Sequence, residues 1–455
     1  MPIQYPTLLN AIIGLSLAVP AAADGPVWRF QPLELPKLDY PGNTFTSPMD
    51  INDAGQVTGE SGSSQTSIGM HAFLWEPGSI MSDLDAGQWP ATAGLKINQF
   101  GMMLGDATFC PDQNGSCASQ PIILYPDGTI IELEPVWVGY LVIQDINDNG
   151  IAIFNRTVNE GSSNIAPRLW SPHNGTQVLP LPGTSFSGYA LDVNDNEVAV
   201  GYSVGGGYHP HIWTDGTISS LQVENGGDGR AHAINNAGVI VGKSRFNGVY
   251  HATRWVGPQA QPERLINDPE ALESNASHIL EDGTVLGTWE NDLNQILAFK
   301  IAPDGTVDLY APPEVGVETL DVIPVAGNPE GWVLCTHVNE FYQVQSVIRI
   351  PGEGWVFPNN RLVGPGSHTC EQPIDMNNAG QIITRGAAWT TPAFLEPRPP
   401  GDVNGDKMVN VDDMLAVLGS YGICPPHPSR LCDEDVTADG QVNVDDILGV
   451  INQWQ

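Results

Sequence analysis

Two stretches near the C-terminus carry oxygen-bearing side chains at a spacing that suits a metal ion. They span residues 402–413 and 435–446, and the second repeats the first at an offset of 33 residues (435 minus 402). Calcium takes about six to eight oxygen ligands, so a loop with oxygens at positions 1, 3, 5, 7, 9 and 12 can wrap around it. Those positions hold Asp402, Asn404, Asp406, Met408, Asn410 and Asp413 in the first loop, and Asp435, Thr437, Asp439, Gln441, Asn443 and Asp446 in the second. With the backbone carbonyls at position 7, the spacing predicts two bound calcium ions (Ca2+).

A short amphipathic helix is predicted after each loop, because apolar residues recur there at helical spacing. This duplicated loop-plus-helix, over residues 401–455, resembles the type I dockerin domains. The resemblance implies EF-hand-type calcium loops without an entering helix. It also implies a cohesin-like protein partner, contacted through positions 10 and 11 of each loop, which are Val411-Asp412 and Val444-Asp445 here. Lys407 stands where the family has Gly at position 6, and Thr437 is a weaker ligand than Asn or Asp.

Most of the remaining chain consists of copies of one pattern, an apolar residue followed by Asn, with Gly three residues after the Asn. The Asn position falls at Asn52, Asn98, Asn147, Asn194, Asn235, Leu280, Asn328 and Asn377, spaced 41 to 49 residues apart. The Asn side chain can bond the backbone two residues on, and the Gly takes a positive φ, so each copy predicts a tight turn between strands. Asn-Gly or Asp-Gly hairpin turns follow in most copies. Four short strands in a period of about 45 residues are typical of a β-propeller blade.

The two ends of the repeat region complement each other. The segment 27–38 resembles the end of a repeat, whereas the copy at Asn377 stops before a fourth strand. We therefore predict an all-β propeller in which the N-terminal strand completes the last blade. The blade count is eight, or seven if the degenerate copies at Leu280 and Asn328 do not form separate blades. Residues 45–390 also resemble the HAF repeats of secreted bacterial proteins, named for residues such as His71-Ala72-Phe73.

Composition places the chain outside the cytoplasm and away from polyanions. Lys and Arg number 17 against 52 Asp and Glu, a formal charge of −35, which argues against nucleic acid and anionic membranes as partners. Residues 1–23 are predicted to be a secretory signal peptide that ends in Ala21-Ala22-Ala23. No other long apolar run occurs, so we expect a secreted, extracellular protein without a stable membrane span. The predicted domains are the signal peptide, the propeller over 24–397, a Pro-rich linker over 398–401 and the dockerin-like domain over 402–455.

The six cysteines fall into three pairs along the sequence. Cys110 with Cys117, and Cys424 with Cys432, bracket short polar loops and are predicted to form disulfides. Cys335 and Cys370 are left over, and a bond between neighbouring repeats stays open for them. No pair has the spacing of a zinc site.

No catalytic motif stands out in the sequence. The chain has neither Gly-x-Ser-x-Gly nor His-Glu-x-x-His, and repeat position explains the histidines at 71, 209, 211 and 251. The sequence therefore predicts a secreted, non-catalytic binding or scaffold protein, anchored through the calcium-dependent module, with a polysaccharide or protein ligand on the propeller. The alternative is an extracellular polysaccharide-degrading enzyme, a glycoside hydrolase or lyase, because dockerin-like modules often accompany such enzymes.

Overall fold

The structure is a computed structural model of the chain, and it describes residues 27–39, 45–62, 69–85, 89–109, 117–257, 259–268, 271–313, 318–363, 370–385, 392–424 and 432–454. Antiparallel strands make up nearly all of the regular structure in these ranges. The predicted signal peptide, residues 1–23, lies outside them. Within them, neither helix has the length and apolar character that crossing a membrane requires.

The strands follow one another in units of four, after a single N-terminal strand, β1 (Arg29–Glu34). The first three units are β2 (Phe45–Ile51), β3 (Val57–Gly62), β4 (His71–Trp75) and β5 (Ser82–Asp83); β6 (Ala91–Ile97), β7 (Met103–Phe109), β8 (Ala118–Leu124) and β9 (Ile130–Glu132); and β10 (Leu141–Ile146), β11 (Ala152–Thr157), β12 (Ile165–Ser171) and β13 (Gly175–Val178). The next two are β14 (Ser187–Val193), β15 (Ala199–Val204), β16 (Tyr208–Thr214) and β17 (Thr217–Ser220); and β18 (Gly229–Ile234), β19 (Val239–Phe246), β20 (Val249–Val256) and β21 (Glu263–Arg264).

The remaining strands continue this arrangement to residue 398. They are β22 (Ser274–Ile279), β23 (Val285–Glu290), β24 (Ile296–Ile301) and β25 (Val307–Leu309); β26 (Thr319–Gly327), β27 (Val333–Asn339), β28 (Val344–Ile350) and β29 (Gly354–Val356); and β30 (Gln372–Met376), β31 (Ile382–Arg385) and β32 (Ala393–Arg398). Short 3-10 helices lie at Glu224–Gly226 and Pro358–Asn360.

Two of these units are not separate sheets. A parallel pairing of Ile296 in β24 with Asp321 in β26 joins them into one eight-stranded sheet. The described strands thus form six four-stranded sheets, this larger sheet and a two-stranded ladder, and none of them closes on itself. The prediction of a closed propeller with eight, or seven, distinct blades is therefore wrong. The junction falls between the two degenerate copies, at Leu280 and Asn328, where the repeat pattern is weakest.

The N-terminal strand lies in the last sheet of the chain. β1 pairs antiparallel with β32, from Arg29 opposite Arg398 to Glu34 opposite Ala393, and β31 and β30 complete the sheet. β30 in turn contacts β2, so the last sheet packs against the first. Apolar side chains fill the space between them. Trp75 and Phe394, for example, meet edge to face with their ring centroids 5.6 Å apart.

The predicted Asn turns are confirmed, with one addition. At Asn98, the backbone N–H of Gly101 donates to the Asn98 carbonyl at 3.1 Å, and Gly101 has a φ of +77°. The Asn98 Oδ1 accepts from Phe100 N, two residues on, and also from Met102 N, four residues on, both at 3.0 Å. Only the first of these side-chain bonds was expected. Glu197 replaces the Gly in one copy and still adopts a φ of +60°.

The described chain ends in two helices, α1 (Val411–Gly419) and α2 (Val444–Gln453), with a small ladder of β33 (Gly422–Ile423) and β34 (Gln441–Val442) between them. This segment is docked against the start of the chain. The buried Arg29 donates from one guanidinium nitrogen to the carbonyls of Cys432 and Asp433, both at 2.8 Å. Two short helices held on β1 do not make the separate α-helical dockerin domain that the sequence predicted, so that part of the fold prediction is also wrong.

Among the described cysteines, Cys117, Cys424 and Cys432 are disulfide-bonded and Cys335 and Cys370 are free. Cys424 and Cys432 are bonded to each other. Cys335 and Cys370 are buried and free, and burial raises the pKa of the Cys370 thiol to about 12. Cys110, one half of the other predicted disulfide, lies outside the described residues.

Candidate functional site

A β-bulge interrupts the first strand of every unit at the same repeat position. The pairing register shifts immediately before Asp50, Lys96, Asp145, Asp192, Ala233, His278, Ala326 and Asp375, each two residues before the Asn position. A bulge adds one unpaired residue and redirects the side chains beside it. We call the six ionisable residues of this set the axial cluster: Asp50, Lys96, Asp145, Asp192, His278 and Asp375.

The axial cluster converges on one centre. Lys96 Nζ lies 3.6 Å from Asp50 Oδ1 in the preceding unit. Lys96 and His278 belong to the second and sixth units, yet the charge of Lys96 contributes to the lowered pKa of His278. They are therefore within electrostatic reach of each other, although three units lie between them along the sequence. The Lys96 side chain remains 40% exposed and that of Asp50 11%, so solvent reaches this centre, which we call the channel.

The four carboxyl groups of the axial cluster form two hydrogen-bonded pairs beside Lys96. Burial raises the pKa of Asp375 well above its ordinary value, and the charge of its partner Asp50 adds to this. Burial does the same to the pKa of Asp192, whose partner is Asp145. The pKa of Lys96 is itself raised, chiefly by Asp50. Each pair therefore keeps one proton at a pH where an isolated aspartate would have lost it, and an ammonium group lies beside them.

Hydrogen bonds to the next sheet hold these carboxyl groups in place. Asp50 Oδ2 accepts from the backbone N–H of Ile97 at 2.8 Å. Asp192 Oδ2 accepts from Ile234 N at 2.7 Å in the same way. The carboxyls thus have a structural role between neighbouring first strands, and the same bonds fix the orientation of groups that line the channel.

Neutral imidazoles occupy the other side of the channel. Burial lowers the pKa values of His278 and His232 to about 4. His232 Nδ1 donates to the Ala276 carbonyl at 3.0 Å, and His278 Nδ1 lies 2.8 Å from the Ser277 hydroxyl. At neutral pH the cluster therefore combines carboxyl pairs and one ammonium with uncharged histidines.

A second set of side chains, one residue after the Asn position, makes one end of the channel acidic. The backbone N–H of Asp148 donates to Asp195 Oδ1 at 2.9 Å, and those of Gln99 and Asn236 donate to Asp148 and Glu281 in the same pattern. Burial raises the pKa of Asp148 and of Glu281, and nearby carboxylates, including Asp195, raise both further. Their mutual repulsion shows that negative charge is concentrated at this end.

Sequence reasoning missed the axial cluster. The available signal was the Asp found two residues before the Asn in four copies, at Asp50, Asp145, Asp192 and Asp375, with Lys96 as the exception. Beside the Asn turn, such an Asp has no evident role in the sequence. The bulge that redirects it leaves no mark in the sequence.

In the first predicted calcium loop, the carboxylates accept hydrogen bonds from the loop itself. Asp402 accepts from Gly405 N at 2.7 Å and from Lys407 N at 3.1 Å. Asp413 accepts from Asn410 N at 2.8 Å, and the two residues form a capping box at the start of α1. Further bonds join Asn404 to Asp406, Asp406 to Met408, and Asp413 to Val403 and Asn404. Lys407 adopts a φ of +68°, where the sequence predicted a sharp turn.

The second loop repeats these contacts. Asp435 accepts from Asp439 N at 3.0 Å and from Gly440 N at 2.8 Å. Thr437 donates to Asp446 Oδ1 from its backbone nitrogen at 2.9 Å and from its hydroxyl at 3.0 Å. The remaining members are placed by bonds from Gln441 N to Asp439 and by the capping box of Asn443 with Asp446.

These contacts correct the prediction of two calcium ions. The carboxylates named as ligands accept hydrogen bonds from backbone N–H groups of the loops. A metal-binding group needs at least three His, Cys, Asp or Glu side chains close together. Within the described residues of each loop, no such group forms. The described residues contain one such group, Cys424, Cys432 and Asp435, and its two cysteines are joined in the disulfide and cannot act as thiolate ligands.

A scan against protein-family models finds no match, and no curated protein matches the sequence. Solved structures match more loosely. A structure from a study of two prolyl endopeptidases has a TM-score of 0.48 at 13% identity, over 83% of this chain and 54% of that chain. A puromycin hydrolase has a TM-score of 0.43 at 11% identity, over 71% of this chain and 60% of that chain. Dipeptidyl peptidase 4 of Porphyromonas gingivalis has a TM-score of 0.40 at 9% identity, over 75% of this chain and 64% of that chain. The chain thus spans between half and two thirds of the length of these structures.

The comparisons correct the identity and activity predicted from the sequence. Because no family model matches, the HAF-repeat and dockerin resemblances are not supported. These similar structures are peptidases and a hydrolase, and none of the three is a non-catalytic scaffold or a polysaccharide-degrading enzyme, so the comparisons support neither prediction of function.

Proposed function

We propose that the axial cluster is the acid–base site of a hydrolase that cleaves amide bonds in peptides. The proposal is carried by the paired carboxyls on both sides of Lys96, Asp50 with Asp375 and Asp145 with Asp192. Two carboxyl groups that share a proton provide a base and an acid side by side, as in the aspartic proteases. The similar structures include peptidases, and the proposal itself depends on the carboxyl pairs.

The chemistry needs one water molecule and no other reactant. The Asp50 carboxylate removes a proton from water, whose oxygen attacks the carbonyl carbon of the substrate. Protonated Asp375 gives its proton to the carbonyl oxygen, and Lys96 stabilises the negative charge that develops there. When the C–N bond breaks, the amine takes the proton held by Asp50 and the hydroxyl proton returns to Asp375. One amide and one water become one carboxyl group and one amine.

The acidic end of the channel supports a peptide that carries Lys or Arg. Asp148, Asp195 and Glu281 concentrate negative charge there, in a chain whose formal charge is −35. Such a field raises the local concentration of cationic ligands, and added salt weakens it. The expected substrate class is therefore a basic peptide segment.

A peptide-cleavage assay tests this function. The purified chain is incubated between pH 4 and pH 8 with fluorogenic peptides that are rich in Lys and Arg or in Glu. Asp375→Asn and Asp192→Asn each remove one proton donor, and loss of general acid–base catalysis lowers kcat/KM by about 100-fold or more in at least one of them. Asp304→Asn is the control, because Asp304 is an exposed hairpin-turn residue. Absence of cleavage by the unmodified chain, or equal rates in all three variants, contradicts the proposal.

We also propose that the protein acts outside the cytoplasm. The disulfide between Cys424 and Cys432 supports this, since such bonds persist in oxidising compartments. The predicted cleavage after Ala23 gives the test: N-terminal sequencing of exported protein yields Asp24 as the first residue. Full-length protein retained in the cytoplasm with both cysteines reduced contradicts it.

A further inference from the structure

A cleft of 930 Å³ opens on the eight-stranded sheet, away from the channel. Its walls come from β24, β25 and the residues after them, and from β27, β28, β29 and the 3-10 helix Pro358–Asn360. No residue of the axial cluster lines it. Ligand pockets commonly measure about 300–1,000 Å³, so this cleft can hold a small molecule or part of a chain. It occurs where the repeats are least alike, which is where a surface is free to specialise.

Aromatic rings form a rigid platform in the cleft. The rings of Tyr310 and Trp355 meet edge to face at 5.4 Å between centroids. Trp355 Nε1 donates to the Ala311 carbonyl at 2.8 Å, which fixes the orientation of the indole. Phe357 packs edge to face on His337 at 5.6 Å. Trp355 and Phe357 are partly exposed, so flat apolar surface is available to a ligand.

Two cations face the same space. The guanidinium of Arg349 lies 5.5 Å from the centroid of Tyr310 and 5.7 Å from that of Trp355. Lys300 also lines the cleft, with Asp308 across the strand ladder from it. In the described part of the chain, neither Arg349 nor Lys300 takes part in an ion pair. The guanidinium charge of Arg349 is therefore available to a ligand in the cleft.

Side-chain amides complete the lining. Gln343, Gln345 and Asn360 reach the cleft, and the first and last of them are exposed. An amide both donates and accepts hydrogen bonds, as a hydroxyl group does, so a row of amides suits a ligand that carries many hydroxyls. The cleft thus combines a flat apolar surface, the guanidinium of Arg349 and hydroxyl-matching groups.

We propose that this cleft binds an acidic carbohydrate, an oligosaccharide that contains uronic acid. The C–H face of a pyranose ring lies against Trp355, the carboxylate of the sugar pairs with Arg349, and the hydroxyls bond the amides. Arg suits this role because its planar guanidinium binds a carboxylate through two parallel hydrogen bonds. The site binds without cleaving, and it is independent of the peptide hydrolysis proposed for the channel.

Calorimetric titration of the full chain tests the proposal. The probes are a tetrasaccharide of galacturonic acid and the uncharged tetrasaccharide of galactose. The acidic probe binds at least about tenfold more tightly, a difference of about 1.4 kcal/mol. Arg349→Gln removes this preference and leaves the weak binding of the neutral probe unchanged. Arg254→Gln, which breaks the exposed pair with Glu263 on another sheet, changes neither affinity.

Trp355→Phe provides a second measurement. It keeps an aromatic ring but loses the bond to Ala311, so affinity for both tetrasaccharides falls while the thermal unfolding curve shows a folded protein. If neither probe binds at millimolar concentration, or if Arg349→Gln leaves the acidic probe bound as before, the proposal is overturned. Equal affinity of the unmodified chain for the two probes overturns it as well.

Discussion

Asn377 donates a hydrogen bond from Nδ2 to the backbone carbonyl of Asn52 at 2.9 Å, although 325 residues separate them. The same bond joins the first six units in succession: Asn52 to Asn98, Asn98 to Asn147, Asn147 to Asn194, Asn194 to Asn235, and Asn235 to Leu280, over 2.7 to 3.4 Å. Each of these Asn residues binds the neighbouring sheet through Nδ2, and its Oδ1 accepts within its own turn. Leu280 has no amide to continue the series.

The effect of these bonds on stability can be measured with two matched variants. Asn377→Asp and Asn328→Asp both place a carboxylate at a buried turn. Among the described residues, only Asn377→Asp removes a hydrogen bond to another sheet, the one from Asn377 Nδ2 to the Asn52 carbonyl. The free energy of unfolding is expected to fall by about 1–3 kcal/mol more for Asn377→Asp, the usual cost of an unsatisfied buried group. Urea denaturation followed by tryptophan fluorescence gives the difference. Equal losses would show that the bond between sheets contributes nothing.

From the sequence, only the turn formed by each Asn could be predicted, and the bond between sheets could not. The recurrence of Asn predicted the turn, because Asn, Asp, Ser and Gly share that local role. A turn alone does not explain why Asn in particular recurs, since Asp accepts the same backbone bonds. The Nδ2 donor explains it, but a bond between sheets depends on their spacing, which a single sequence does not show.

The raised pKa of Asp375 makes stability depend on pH. An unfolded chain releases this proton near pH 3.9, whereas the folded chain retains it well above that value. The folded state therefore binds more protons above about pH 4, and the stability contributed by Asp375 is lost as pH rises towards its folded pKa. Asp375→Asn removes the titration, so its stability relative to the unmodified chain is expected to increase from pH 4 to pH 8, by at most about 1.4 kcal/mol per pH unit.

Urea midpoints of the two proteins at each pH measure this difference. His232 and His278, with pKa values lowered to about 4, act in the opposite sense between about pH 4 and 6.5, but they are present in both proteins and cancel. Asp304→Asn serves as the control. Hydrogen bonds from Thr306 lower the pKa of Asp304, so Asp304 stays ionised between pH 5 and pH 8. The change in stability caused by Asp304→Asn is therefore constant over that range. A pH-independent difference for Asp375→Asn would mean that Asp375 and Asp50 do not share a proton.

Arg29 is expected to hold the C-terminal segment in place. Burial lowers its pKa to about 10, so it remains charged at neutral pH and donates to the carbonyls of Cys432 and Asp433. Arg29→Met keeps the apolar stem and removes both bonds. Charge-assisted hydrogen bonds contribute about 1.5–3 kcal/mol each, so amide exchange in α2 is expected to accelerate by at least about tenfold.

Hydrogen exchange followed by mass spectrometry checks this prediction. The strands of the first sheets, far from Arg29, keep their protection. Arg254→Met, which breaks only the exposed pair with Glu263, leaves α2 unchanged. Unchanged exchange of α2 in Arg29→Met would show that other contacts dock the segment.

The C-terminal segment also shows the limit of ligand spacing as a signal. The positions from Asp402 to Asp413 predicted metal ligands, and in the structure the two end carboxylates accept hydrogen bonds from backbone N–H groups. Both arrangements need oxygens at the same spacing, because a tight loop leaves its N–H groups pointing inward. Docking on Arg29 could not be foreseen, since a lone Arg more than 400 residues away carries no pattern.

The pairing of β1 with β32 has a consequence for biosynthesis. Gln31 and Arg398 bond across this pairing, yet 367 residues separate them. At a synthesis rate of about 5–20 residues per second, roughly 20–70 s pass between the synthesis of β1 and that of its partner strand β32. During that time its edge can pair with other chains. Recombinant yield should therefore depend on shielding the first strand, by a chaperone or by translocation in an extended state, until residue 398 has emerged from the ribosome.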